Sequence, residues 1–227
     1  MWFFGFFLTI FLFYLSKYLY RIYPAFFTHT VLLPSVVIIT LLEVGHIDYK
    51  VYYNSARYLT FFLNPATVAL SYLLYKRWDS IQRYTKEVFI TIIISSILGI
   101  VSAYLLIIIM GGERYTALSM VPKSVTTPIA VRVSEIVGGI PSLTAVFVVI
   151  TGITGAILGP PLLRLFRIDH PLAWGLSMGI TAHGIGTARA VEEGETEGAA
   201  SGIGFILMGL FTALFAPVVV FLLERIL

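Results

Sequence analysis

The chain has 227 residues, 58% of them hydrophobic and only 12% charged, with a mean hydropathy of +0.93. An ordinary soluble domain carries roughly 25% charged residues, so this composition excludes a water-exposed globule and leaves a polytopic membrane protein. The net charge of +3 calls for no nucleic-acid partner, because the basic residues sit at span ends, and the lack of cysteine excludes disulfides, thiol catalysis and thiolate metal sites.

The apolar residues come in long runs, such as residues 88–110, rather than in short segments of alternating polarity. That pattern predicts an all-α bundle and not a barrel. At about 20 residues per span the chain holds seven or eight spans in a single transmembrane domain covering residues 1–227. Residues 1–15 are apolar, yet no positive residue precedes them and no small-residue cleavage site follows; Lys17 and Arg21 come after them. They read as a first helix with its N-terminus outside the cell membrane, not as a cleaved signal.

In chain order the expected spans are residues 2–19, 24–42, 58–75, 87–110, 141–163, 171–190 and 199–223. Pro24, Pro141 and Pro171 stand where proline is favoured, at the first helical position. Residues 111–140, bounded by Gly111-Gly112 and Gly138-Gly139, are too polar for one simple span. They form a re-entrant segment, or a short unwound crossing paired with a helix at 128–137. Two spans are interrupted. Pro65 in Asn64-Pro65-Ala66-Thr67 removes a backbone donor, and Thr181-Ala182-His183-Gly184-Ile185-Gly186-Thr187 sets glycines around a polar core. Aligning Pro24 with Pro141 brings the two interruptions into register, which points to a hydropathy repeat: repeat 1 at about 1–110, a connecting segment at 111–140, and repeat 2 at about 128–227.

Charge gives the sense of that repeat. Lys76, Arg77, Arg83 and Lys86 follow the first broken span, whereas Glu192, Glu193, Glu195 and Glu197 follow the second. Opposite bias in matching loops is expected of halves inverted in the membrane. The acidic run itself reads as a solvated loop.

Three polar constellations stand out: Asn64 with Thr67; Lys123, Ser124, Thr126 and Thr127 just before Pro128, followed by Arg132 and Glu135; and His183, Thr187 and Arg189. Inverted-repeat transporters place their site where broken helices meet, and helix N-termini there offer unpaired N–H groups to an anion. Lys123 and Arg189 are candidate anion-holding cations, or interface residues facing water. Glu135 and His183 are candidates for proton or ion coupling. Against this, Arg132 and Glu135 at i, i+3 also suit a self-neutralising pair, and His183 also suits a packed histidine bonded to a carbonyl. No hydrolase or metalloprotease motif appears, so no enzyme, metal site or cofactor is expected.

These residues carry a resemblance. Pro122-Lys123-Ser124-Val125-Thr126-Thr127-Pro128-Ile129-Ala130, then Gly152-Ile153-Thr154-Gly155-Ala156 with Gly159-Pro160, then Ala182-His183-Gly184-Ile185-Gly186-Thr187-Ala188-Arg189 resemble the LrgB/CidB family over nearly the whole chain. Asn64-Pro65-Ala66-Thr67-Val68-Ala69-Leu70 is similar to its Gly-Pro-Ala-Thr-Val-Ala-Leu stretch, with Asn64 in place of glycine. The resemblance implies two functions. One is transport of a small organic anion, a 2-hydroxy or 2-oxo monocarboxylate such as glycolate, glycerate, lactate or pyruvate, as in the related plastidic glycolate/glycerate transporter. The other is an antiholin- or holin-like regulator of murein hydrolase activity that acts through membrane oligomers, beside an LrgA/CidA-like membrane partner. In the second reading, Gly202, Gly204 and Gly209 would provide a small-residue face for self-association.

Overall fold

The computed structural model describes residues 3–23, 26–62, 65, 72 and 75–226. Every regular element among the described residues is helical. The chain divides into two compact units, Met1–Ala69 and Leu70–Leu227.

In the first unit, α1 (Phe4–Ile22) is the expected first helix. Gly5 lets α3 (Tyr49–Ala56) cross it closely: the Gly5 amide donates to Ser55 Oγ at 2.8 Å, and Thr9 Oγ1 meets the Tyr52 hydroxyl at 2.8 Å. Residues 45–57 lie between two expected spans, yet they hold this helix, and the signal is Asp48, whose carboxylate caps it by accepting from the Lys50 amide at 2.7 Å. The span expected at 24–42 is instead a shorter helix, α2 (Leu32–Val44), after a 3-10 turn at Phe26–Thr28. Its 13 residues extend about 20 Å, against a hydrocarbon core of about 30 Å. Pro34 sits in its first turn, where an amide has no helical partner to lose. Pro24, and most of the interrupted span at 58–75, lie outside the described residues; Arg57–Phe62 is a 3-10 helix.

The second unit is built on three helices: α4 (Thr85–Ile109), α7 (Pro141–Leu165) and α9 (Glu195–Ile226). Among the described residues these are the helices long and apolar enough to cross a membrane. Between them lie two helical hairpins. The first joins α5 (Arg114–Met120) to α6 (Thr127–Val137). Leu118 and Val133 share a buried cluster with Tyr104 of α4 and Val220 of α9, while Val125 and Ala130 pack with Ile92 and Met208, farther along both helices. The hairpin thus enters and leaves at one end of the bundle. Gly138, with φ of +84°, closes α6, and the Gly139 amide donates to Ser134 O at 2.8 Å. Thr144 Oγ1 ties the exit to the entrance, bonding Ser119 O at 2.9 Å and Ser134 Oγ at 2.7 Å.

The second hairpin is α8 (Pro171–Glu193), and here the fold departs from the expected crossing at 171–190. Its first limb runs antiparallel to α7, with Met178 against Gly159, Ala182 against Gly155 and His183 against Gly152. At His183 the backbone turns to φ 41°, ψ −132°. The second limb then folds back along the first: Gly186 abuts Met178 O, Ala190 packs with Trp174, and Glu193 lies 3.6 Å from Arg164 at the end of α7. The chain leaves at the end where it came in, opposite to the end used by the first hairpin. A glycine pair, Gly175 and Gly179, seats the first limb on the backbone of α9 at Glu197 and Ser201.

The acidic run is a corner and not a loop. Only Gly194 separates α8 from α9, and Glu195 and Glu197 occupy the first turn of α9, where the helix dipole favours them. Lys76 and Arg77 both pair with Glu195, so the basic and acidic segments read as oppositely placed in fact lie at the same end.

Backbone contact at Gly179 leaves no room for a side chain, whereas among the described residues nothing lies within 4 Å of a Cβ on Gly202. Gly179→Val is expected to cost about 1–3 kcal/mol through overpacking, and Gly202→Ala to be neutral or stabilising by up to about 1 kcal/mol. Apparent melting temperatures in detergent measure both, and equal losses would contradict this packing.

Candidate functional site

The two hairpin tips carry the polar residues. At the first tip, Val121–Thr126 descends without regular helix, and α6 opens at Thr126, whose extended backbone (φ −67°, ψ 147°) makes it the N-cap. The Thr126 carbonyl accepts the first helical bond from Ala130 N at 2.9 Å, but its hydroxyl caps nothing. Pro128 has no N–H, so the amides of Thr127 and Ile129 are left without helical partners. Half-buried Thr126 and Thr127 therefore present hydroxyls beside free amides at a positive helix end. Lys123 lies half-buried one turn earlier. Its ammonium reaches Ser124 Oγ at 3.4 Å and makes no ion pair among the described residues. A cation, hydroxyl groups and amides that have no helical partner among the described residues thus lie together at this tip.

The second tip is held from within. His183 is 5% exposed, and its ring Nε2 bonds Val148 O of α7 at 3.1 Å. A carbonyl only accepts, so Nε2 carries the hydrogen. The Thr187 hydroxyl donates to His183 O at 2.9 Å and bonds Ser201 Oγ of α9 at 2.9 Å. At the reversal the His183 carbonyl is thus satisfied by Thr187 of the same helix, and the His183 and Thr187 side chains tie the tip to α7 and α9. The expectation of a packed histidine bonded to a carbonyl describes the observed geometry.

Val125 of the first tip, Val148 of α7, which accepts from His183, and Ile180 just before the second tip belong to one buried cluster. Other candidates lie apart from it. Arg189 pairs with Glu193 at 3.0 Å and with Glu192 at 3.6 Å on its own helix. Arg132 and Glu135 form an exposed pair at 2.8 Å, the self-neutralising arrangement that their spacing allows. Asn64 and Thr67 fall outside the described residues. Among the described residues no group of acidic, histidine or cysteine side chains is placed to hold a metal.

The spacing of single residues did not reveal Ser119, Ser134 and Thr144, the buried hydroxyls that close the first hairpin. A hydroxyl in an apolar run is ambiguous until its partner, 10 or 25 residues away, is known. Nor did it reveal the reason for Gly152, Gly155 and Gly159, which is a groove on α7 that admits the second tip.

Comparison with known proteins agrees with these motifs. The LrgB-like family matches residues 9–222. "Uncharacterized protein YwbG" of Bacillus subtilis (strain 168) is 36% identical over 211 residues, 93% of this chain and 94% of its own length. "Antiholin-like protein LrgB" of Bacillus mycoides (strain KBAB4) is 34% identical over 200 residues, 88% of this chain and 87% of its own. No solved structure matches. With three long apolar helices and a family match across nearly all of its length, the chain is a membrane protein that belongs to the LrgB-like family.

Proposed function

We propose that this protein carries small organic anions, 2-hydroxy or 2-oxo monocarboxylates such as glycolate, glycerate, lactate or pyruvate, across the cell membrane by alternating access. The observation that carries the reading is the pair of helical hairpins that enter from opposite ends and bring their tips into one cluster. Broken helices meeting in this way present helix termini to a substrate near the middle of a bilayer. Lys123, Ser124, Thr126 and Thr127 hold the carboxylate by charge and by hydrogen bonds from hydroxyls and free amides. His183 and Thr187 position the opposing tip, and a proton passes through His183 if transport is coupled.

The basic residues give the orientation. Lys76, Arg77, Arg83, Lys86, Arg164 and Arg167 gather at the end of α4, α7 and α9 marked by Glu195, while Arg114 and Arg225 mark the other. The positive-inside bias makes the Glu195 end cytoplasmic. The full chain then has seven or eight membrane-entering segments arranged as an inverted repeat, with its N-terminus outside.

The second reading is supported by the name of the Bacillus mycoides relative, antiholin-like protein LrgB. In it the chain regulates murein hydrolase activity through membrane oligomers or beside an LrgA/CidA-like partner. The small-residue face that such assembly would use is partly taken: Gly204 lies against Leu176 and Ile180, and Gly209 against Ile129, inside the chain.

Uptake of labelled glycolate, lactate or pyruvate into proteoliposomes tests the first reading. Uptake is expected above that of protein-free liposomes, and none under any ion gradient contradicts it. Removing one charge-assisted contact costs about 1.5–3 kcal/mol, so Lys123→Ala is expected to lower uptake by about tenfold or more, with Lys123→Arg retaining much of it. Thr127→Val is expected to lower uptake by a smaller factor. A regulator that acts by assembly would tolerate all three substitutions.

A further inference from the structure

A cavity of about 440 Å³ opens between α4 and the first limb of the second hairpin, wholly within the second unit. Its walls are two facing stripes. On α4, Glu87, Thr91 and Ser95 recur every four residues; on α8, Ser177 and Thr181 follow Ala173 at the same interval. Ser177 and Thr181 donate to carbonyls of their own helix at 2.8 and 2.6 Å, which leaves their oxygens free to accept. Thr91 and Ser95 make no hydrogen bond with the described residues. Against acyl chains Thr91 and Ser95 would go unpartnered, whereas water or a polar solute in the gap would satisfy them.

The cavity joins these features to the cytoplasmic end proposed above. Tyr84 and His170, with ring centroids 5.8 Å apart, border both this cavity and an outer pocket of about 360 Å³ that also holds Asp79, Arg83 and Thr196. At its inner end stand Ile180 and Thr181, two and three residues before the reversal at His183. The cavity thus runs from a charged mouth, past a Tyr84–His170 collar, to the root of the second tip.

We propose that this cavity is the aqueous vestibule through which a small carboxylic acid reaches the hairpin tips from the Glu195 end, with Ser177 and Thr181 as the hydroxyls that pass it inward. The proposal rests on the transport reading. The hydroxyls stand among Val88, Leu172, Leu176 and Ile180, with the Glu87 carboxylate toward the outer end and no Lys or Arg in the lining, so an anion is held weakly enough to leave, as a passage requires. A hydroxyl bonded to its own helix can turn and donate to a passing carboxylate, and its oxygen can accept from the acid's hydroxyl group.

The chain contains no cysteine, so single cysteines can be labelled in the otherwise unaltered protein. In proteoliposomes, Ser177→Cys, Thr181→Cys and Thr91→Cys are exposed to a membrane-impermeant methanethiosulfonate cation. Leu98→Cys, on the outward face of α4, is the lipid-facing control, and Asp169→Cys and Glu113→Cys mark the two ends. The vestibule cysteines are expected to react at least tenfold faster than Leu98→Cys, from the same side as Asp169→Cys, and more slowly when the transported anion is present. Reaction at the control rate, reaction from the Glu113 side, or no slowing by an anion that the protein takes up would overturn the proposal. Thr91→Cys, on the facing wall, reports independently if an α8 variant fails to fold. Wild-type uptake is scored separately: its absence contradicts the transport reading, whereas labelling at the control rate contradicts the vestibule even when uptake is intact.

Discussion

A backbone carbonyl or amide released from a helix inside a bilayer has no water to bond, and it must find a partner within the protein. Much of the second unit follows from that constraint. The chain reverses at His183, and the histidine ring, Val148 O, the Thr187 hydroxyl and Ser201 Oγ close a network across α7, α8 and α9. The first hairpin meets the same demand with Ser119, Ser134 and Thr144, and with the left-handed Gly138. Breaks in the helices are stable because they are stitched to their neighbours, which is also why they can be polar.

Close approach of helices is the second condition. Hydrogen bonds between tips and walls reach across only when backbones nearly touch, and lipid offers no hydrophobic drive to bring them together. Glycines provide the approach. Gly152, Gly155 and Gly159 receive the second tip on α7, and Gly175 and Gly179 seat its first limb on α9. One hairpin is therefore fixed to two long helices. The wall facing it, α4, stands off far enough to leave a largely apolar cavity that carries the hydroxyls of Thr91, Ser95, Ser177 and Thr181. The exposed ion pairs of Lys76, Arg77 and Arg164 with Glu195 and Glu193 contribute little energy but hold the corner at one end.

Much of this was legible in the sequence. Charge scarcity and long apolar runs gave the helical membrane class, and the glycines around His183 located the reversal. The polar stretch before Pro128 located the first tip. What misled was the sense of the second break. A span of twenty-odd residues that contains a kink and one that contains a full reversal have the same hydropathy. The difference lies in Gly186 meeting Met178 O and Glu193 meeting Arg164, contacts that hydropathy does not record. The charge argument failed for a related reason: Glu195 is acidic because it receives Lys76 and Arg77, and not because it faces the other side. The partners of His183 and Thr187 were beyond sequence reading as well, since Val148 and Ser201 come from helices whose register only the fold fixes.

The central claim is that α8 enters and leaves at one end and does not cross. Single cysteines at Asp169 and Thr196, just before and just after α8, test it by sidedness of labelling with an impermeant maleimide in sealed vesicles. The account expects both to label from the same side. Labelling from opposite sides would make α8 a crossing helix and would contradict the paired hairpins on which the proposed site depends.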